Sequence, residues 1–166
     1  MPVQDFKGTV TGSQVAFPAI QVPNAGANVF DDYEEDTFTP VIADAASGGN
    51  VAALGASAGV YTKIGNVVYA SFSAVDINTT GMTAGNSVYM QNLPFTARNL
   101  ANLIQVGAVF GSAVTLTTGA LYSYVGPNST VVIFKNLNTT GSHDPLLVSD
   151  LASGTADLYC SITYVV

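Results

Sequence analysis

The chain has 166 residues and a mass of 17.0 kDa, and 48% of its residues are apolar whereas only 9% are charged. Eleven Asp and Glu against four Lys and Arg give a net charge of −7, which excludes nucleic acid as a partner because phosphate binding needs clustered basic side chains. Soluble domains carry about 25% charged residues. We therefore expect copies of the chain, or another protein, to cover much of its surface; the alternative is an extracellular β domain with a neutral polar surface.

The N-terminal sequence and the single cysteine bear on where the protein is made and used. The segment from Met1 to Val10 lacks the basic and apolar regions of a signal peptide, and no window approaches the roughly 18 consecutive apolar residues of a membrane span. The single cysteine, Cys160, cannot form an internal disulfide, and its place in an alternating segment predicts a small buried apolar side chain. The sequence predicts neither secretion nor insertion into a membrane.

Residues 1–29 have no hydrophobic period. Pro2, Pro18 and Pro23 interrupt the segment, and its scattered apolar residues fit no helix. Such a segment cannot bury its own apolar side chains. We interpret it as an extended N-terminal arm that lies on another surface; the alternative is a flexible tail.

An acidic cluster between Phe30 and Pro40 separates this arm from a domain at 30–166. It contains five of the eleven carboxylates, namely Asp31, Asp32, Glu34, Glu35 and Asp36. Oxygen ligands of this kind suit calcium, but the spacing differs from that of an EF-hand loop. A glycosidase pair is disfavoured because neighbours in sequence rarely flank one glycosidic bond. We favour an acidic turn that is solvated or bridges subunits, and we assign no catalytic, cofactor or metal residue.

The first strands are predicted around a tight turn. The segment from Thr37 to Ile42 is predicted to be an edge strand that contains Pro40. The segment from Asp44 to Gly59 is rich in Ala, Gly and Ser and is predicted to be a loop, although a helix is also possible there. Ala58 to Lys63 and Val67 to Val75 form a predicted hairpin about Ile64, Gly65 and Asn66. In the second of these strands Val68, Ala70, Phe72 and Ala74 form one apolar face.

Short strands continue to the last residue. They are predicted at Ser87 to Gln91, Leu103 to Phe110, Val114 to Thr117, Ala120 to Val125, Thr130 to Leu137 and Asp157 to Val165, with a turn at Gly126 to Ser129. The pattern predicts an all-β fold, an antiparallel β-sandwich or jelly roll of about seven to nine strands. No fixed repeat indicates a solenoid.

No residue in this domain forms a recognisable catalytic motif. The single histidine, His143, lies in a polar segment without a second His or Cys for zinc, and no Gly-x-Ser-x-Gly elbow accompanies it. We interpret it as a surface loop histidine. Most tyrosines fall on predicted strands, where packing is their usual role; they are Tyr61, Tyr69, Tyr89, Tyr122, Tyr124, Tyr159 and Tyr164. The sequence therefore predicts a protein that is not an enzyme.

Three landmarks in this order carry a family resemblance: Asp31 to Pro40, Tyr61 to Tyr69, and Leu93-Pro94-Phe95. Together they resemble the C-terminal β-sandwich module of phage tail-fibre and virion-surface proteins. The family often has Gly where this chain has Asp36, which would give that residue a positive φ. The resemblance covers residues 30–96. Residues 98–166 share with the family only a general run of strands and Gly turns. It implies a homotrimer displayed on a phage particle, with no catalytic residues to transfer.

The position of the module suggests where the protein acts. Only some 29 residues precede it, too few for a fibre shaft, so we expect a capsid decoration, cement or head-fibre protein at the virion surface, made in the host cytoplasm. Its arm would bind the major capsid protein. The alternative is a tail-fibre tip, joined to a tail protein, that recognises a host glycan or protein through loops such as Gly141 to Pro145. A third hypothesis is a glycan hydrolase.

Overall fold

The computed structural model describes residues 9–11, 14–16 and 33–166. Two short strands precede the main domain, β1 (Thr9–Thr11) and β2 (Gln14–Ala16), and they pair with each other antiparallel. The rest of the predicted arm lies outside the described residues. The main domain contains β3 (Tyr33–Thr37), β4 (Val41–Ala43), β5 (Ala56–Ile64), β6 (Val67–Ile77), β7 (Tyr89–Gln91), β8 (Gln105–Ser112), β9 (Leu121–Val125), β10 (Val132–Leu137), β11 (His143–Pro145) and β12 (Ala156–Val165).

These ten strands form one antiparallel sheet in the order β3-β5-β6-β12-β8-β9-β10-β7-β4, and β11 also pairs with β10. The predicted all-β antiparallel class is confirmed. The one helical element among the described residues is a 3-10 turn at Val148–Asp150, and none of them belongs to a helix that could cross a membrane.

The sheet curls so that its two halves enclose one core. Phe72 of β6 and Phe134 of β10 are separated by three strands in the sheet order, yet their ring centroids lie 6.4 Å apart. Alternation on the central strands supplies the core, because every second side chain points inward. The largest fully buried side chains are Tyr164, Phe134, Ile42, Ile77, Met90, Leu146, Leu158, Ile162, Val68, Val88, Val125 and Val132.

Two predicted turns are confirmed. Ile64 and Val67 are register partners, so Gly65 and Asn66 alone connect β5 to β6, with a φ of +57° at Gly65. Val125 and Val132 pair across the second turn, where Asn128 has a φ of +54°. Gly and Asn tolerate such left-handed conformations better than other residues.

The acidic segment is a strand over its described part, and the predicted turn there is wrong. Tyr33–Thr37 pairs with β5 along its whole length, with Asp36 opposite Tyr61, and Asp36 has no positive φ. The strand predicted from Thr37 to Ile42 is two elements at opposite edges of the sheet, β3 and β4. The strand propensity of six residues cannot reveal that the chain crosses from one edge of the sheet to the other between β3 and β4.

Three further predictions need correction. The segment from Val114 to Thr117 is not a strand: Val114 forms only an isolated bridge to Leu151, and the Thr117 N–H donates to the Asn136 side chain. His143, predicted in a loop, begins the three-residue strand β11. The segment from Asp44 to Gly59 is a loop only up to Gly55, after which β5 begins.

Candidate interaction face

The sheet has an outer face whose centre is neutral. We define the outer face by the outward side chains of four adjacent strands: Ala58, Val60 and Thr62 on β5, Tyr69, Ser71 and Ser73 on β6, Tyr159, Ser161 and Thr163 on β12, and Ala108 and Phe110 on β8. Register places them in rows, so that Val60, Ser71, Ser161 and Ala108 lie side by side. None of these side chains carries a charge.

Large apolar groups on this face are open to solvent. Phe110 is 65% exposed, Val60 51%, Tyr69 49% and Tyr159 39%. Monomeric soluble proteins rarely expose contiguous apolar patches larger than a few hundred Å², and larger patches mark interaction sites. The outer face is therefore the candidate interaction site of this domain.

A groove of about 540 Å³ runs across the outer face. Small side chains line its floor, including Ala58, Ser71 and Ser161. The rings of Phe110 and Tyr159 lie beside each other along it, with centroids 6.1 Å apart and planes inclined by 34°. A concave strip with small residues at the floor and aromatic residues at the wall can accept a protruding side chain from a partner protein.

The acidic strand is connected to the core through tyrosine. The buried Tyr61 hydroxyl donates a hydrogen bond of 2.5 Å to Glu34 Oε1. Burial first, and then this carboxylate, raise the pKa of Tyr61 to about 12. The ring of Tyr61 meets Phe95 edge to face at 5.3 Å. Two of the family landmarks, β3 and the Leu93-Pro94-Phe95 segment, thus converge on one side chain.

Lys63 compensates part of the acidic charge. It is only 7% exposed, it is the register partner of Glu34, and its Nζ lies 5.5 Å from the centroid of the Phe95 ring. Opposite charges across neighbouring strands are stabilising, and a cation over an aromatic face adds to this. The acidic residues of β3 therefore take part in structural contacts at the edge of the sheet.

Neighbouring carboxylates of this strand point to different sides. Glu34 reaches Tyr61, whereas Glu35 accepts a hydrogen bond of 2.6 Å from the Tyr33 hydroxyl. Successive side chains of a strand alternate between faces, so these two groups do not converge on one bond or one cation. No three potential metal-ligating side chains cluster within residues 33–166. Asp31 and Asp32, which the cation hypothesis included, lie outside the described residues.

Five further residues were singled out from the sequence: one cysteine, one histidine and three tyrosines. Cys160 is buried as predicted; its Sγ lies 3.5 Å from the Ser123 hydroxyl, and burial raises its pKa to about 11. His143 is exposed and meets the Tyr122 ring edge to face at 5.0 Å. Tyr69, Tyr122 and Tyr159, for which packing was predicted, are instead exposed, because strand alternation does not reveal which face is covered.

Asp44 has a structural role that its sequence context did not predict. Its carboxylate accepts hydrogen bonds from the Thr83 N–H at 2.8 Å and from the backbone and side-chain N–H groups of Asn50 at 2.7 and 2.9 Å. The Thr83 bond first, and then the Asn50 side chain, lower the pKa of Asp44 to about 2. This residue fixes the loop that follows β4. An Asp before a Gly-Gly-Asn segment was the only signal available.

Comparison with known proteins shows a similarity of fold. No protein-family model and no curated protein matches the chain. Among solved structures, the crystal structure of the Dettilon tailspike protein (gp208) is similar, with a TM-score of 0.61 and 14% identity over 80% of this chain. The match covers 23% of that tailspike, so the chain spans about a quarter of its length. At this identity the similarity establishes that the chain shares its β fold with part of a phage tailspike protein.

Proposed function

We propose that this chain is a non-enzymatic structural protein of the bacteriophage surface, and that its β domain assembles as a homotrimer through the outer face. The observation that carries the proposal is the neutral, apolar character of that face. The fold shared with a tailspike protein supports the virion setting. The resemblance of the three sequence landmarks to phage surface modules is consistent with the same role.

Charge explains why identical copies would meet on this face. Each chain carries a net charge of −7, and like charges oppose association when they are brought together. The rows that define the outer face contain no charged side chain on β5, β6, β12 or β8, and the nearest carboxylate on β12, Asp157, lies one row beyond them, opposite Ser112. Contact there buries apolar groups and keeps the acidic strand β3 at the edge of the sheet, away from the centre of the contact.

The oligomer can be tested by light scattering coupled to size exclusion. The wild-type chain is expected at three times its mass of 17.0 kDa. Ser161→Lys places a charge on the groove floor and is expected to shift the protein to a single chain mass, because an unpaired charge is costly at the centre of an interface. Asn99→Lys, at an exposed position outside the face, is the control. A monomeric wild type, or a trimeric Ser161→Lys variant, contradicts the proposed interface.

Two locations on the particle follow from different observations. The first is a capsid decoration or cement role, in which residues 1–29 would anchor the domain to the major capsid protein. Contacts that form only with the assembled shell would then stabilise the shell by mass action. Removing residues 1–29 is expected to abolish capsid binding while the sheet domain stays folded, and retained binding would rule out the anchor.

The similarity to a tailspike favours the second location, a tail component that contacts the host surface. Imaging of the labelled protein on intact particles separates the two, since signal over the capsid shell supports decoration and signal at the tail supports receptor contact. The proposal of a non-enzymatic role has its own test. Incubation with host polysaccharide is expected to release no reducing ends, and release that persists in Glu34→Gln and Glu35→Gln variants would place a hydrolytic site elsewhere.

A further inference from the structure

A second depression, of about 470 Å³, lies at the N-terminal end of β8, where Val106 and Gly107 line it. It shares no lining residue with the groove. We call it the Tyr122 pocket. Its main lining side chains are Ile104, Val106, Tyr122, Tyr124, Lys135 and His143. Ligand pockets of small molecules commonly enclose about 300 to 1,000 Å³ and combine apolar walls with a few polar groups. The Tyr122 pocket has both properties.

Three adjacent strands bring its polar groups to one side of the sheet. Tyr122 of β9 is the register partner of Lys135 of β10. His143 of β11 is paired with Leu137, two positions from Lys135, so the imidazole lies on the same face as the lysine. The His143 ring then meets the Tyr122 ring edge to face at 5.0 Å and 81°. The Tyr122 side chain is 42% exposed, so part of it remains accessible to a ligand beside this contact.

The charge of the pocket is opposite to that of the chain. Lys135 lines it, and no carboxylate does. Asp144, the neighbour of His143, projects to the other side of β11, where the Asn138 amide holds it at 3.2 and 3.3 Å. One cation in a chain with a net charge of −7 suits a ligand with an isolated negative charge, whereas a polyphosphate would be repelled.

We propose that the Tyr122 pocket binds an acidic saccharide. One sugar ring stacks its apolar C–H face on Tyr122, its carboxylate pairs with Lys135, and its hydroxyls bond to the imidazole of His143 and the hydroxyl of Tyr124. The apolar side chains of Ile104 and Val106 close the far wall. The biological role of this site rests on the proposed contact with the host surface. Binding in the pocket itself can be measured whichever part of the particle carries the protein.

Calorimetric titration of the full chain with a trisaccharide of galacturonic acid tests the site, with the neutral trisaccharide of galactose as the comparison ligand. The acidic ligand is expected to bind more tightly. Lys135→Gln is expected to remove this preference and Tyr122→Ala to weaken binding roughly tenfold. Tyr122→Phe keeps the stacking ring and should retain binding. Equal affinity of the wild type for both ligands, or no binding to either, overturns the inference.

Two control variants separate this site from the proposed assembly. Arg98→Gln removes an exposed cation outside the pocket and should leave sugar binding unchanged. Tyr159→Ala, in the groove, should alter the oligomeric mass without affecting the preference for the acidic ligand. A wild type that trimerises but discriminates no sugar refutes the pocket alone, and one that binds the acidic sugar as a monomer refutes the interface alone. Circular dichroism of each variant establishes that it is folded.

Discussion

Phe72 and Phe134 meet edge to face at 6.4 Å across the core, although β12, β8 and β9 lie between their strands in the sheet. This contact exists only because the sheet curls on itself. Edge-to-face aromatic pairs contribute beyond their buried area, so the pair joins the two halves of the sheet at a point where the chain supplies no local connection.

Truncating either ring should therefore weaken the whole domain. Phe134→Ala is expected to lower the free energy of unfolding by about 3 to 5 kcal/mol, as measured by urea denaturation at one fixed protein concentration. Val106→Ala, at a side chain that is 75% exposed, is the control and should change stability by less than about 0.5 kcal/mol. Equal effects of the two changes would mean that the curled arrangement is incorrect.

Gly59 is required for close packing of the segment that follows β3. A Cβ built there would lie 2.6 Å from the Phe38 carbonyl oxygen and 2.8 Å from its ring, and the Phe38 N–H donates to the Gly59 carbonyl at 2.9 Å. Gly59→Ala is expected to cost about 1 to 3 kcal/mol, the usual cost of overpacking, in thermal or urea unfolding. Gly126→Ala, where nothing lies within 4 Å of the added Cβ, should be close to neutral. An equally stable Gly59→Ala protein would contradict this packing.

Acid stability should depend on Asp44. Its pKa is lowered from 3.8 to about 2 by the Thr83 N–H and by Asn50, so the folded state binds this proton more weakly than the unfolded chain. The stabilisation is present above pH 3.8 and is lost as the pH falls toward about 2. Asp44→Asn is expected to lower the urea midpoint at neutral pH and to flatten its decline over that range. Asn99→Ala, at an exposed position whose side chain does not titrate, should leave the decline unchanged.

Alkaline stability should depend on Tyr61. Its pKa is raised from 10.0 to about 12, so the folded state holds the phenol proton more tightly than the unfolded chain. Stability is therefore retained below pH 10 and falls as the pH rises toward about 12. Tyr61→Phe removes this dependence and also the hydrogen bond to Glu34, at a cost of about 1 kcal/mol at neutral pH. Tyr164 still contributes its own decline, because its pKa is also raised to about 12. An Asn99→Ala variant, changed at an exposed position whose side chain does not titrate, should follow the wild type in urea titrations at each pH.

The thiol of Cys160 should resist alkylation in the folded protein. It is 4% exposed and its pKa is raised to about 11, and the thiolate is the reactive form. Iodoacetamide at mildly alkaline pH is expected to leave the folded chain unmodified by mass spectrometry and to modify it fully in urea. Thr139→Cys, at an exposed loop position, is the control and should react without urea. Rapid labelling of native Cys160 would mean that β12 opens locally.

Local chemistry made several features predictable. The alternation of Val68, Ala70, Phe72 and Ala74 identified β6 and its inner face, because a strand repeats every two residues whatever surrounds it. Gly65 and Asn66 identified the turn before it, because glycine tolerates the positive φ of +57° that Gly65 has there. The scarcity of charged residues predicted that other protein chains cover much of the surface, and this stays a prediction. The structure identifies the outer face as a neutral part of that surface.

Other features depend on contacts that are distant in sequence. The acidic residues of β3 form a strand because β5 pairs with them, and Tyr61 and Lys63 then face Glu34 from that strand; low strand propensity of Asp and Glu pointed the other way. The Tyr122 pocket brings β8, β9, β10 and β11 together. Composition and alternation determined that this chain is an antiparallel β protein with few charged side chains. Only the curl of the sheet decided which neutral rows face outward and which polar groups meet, because those distances are set by strand order and register.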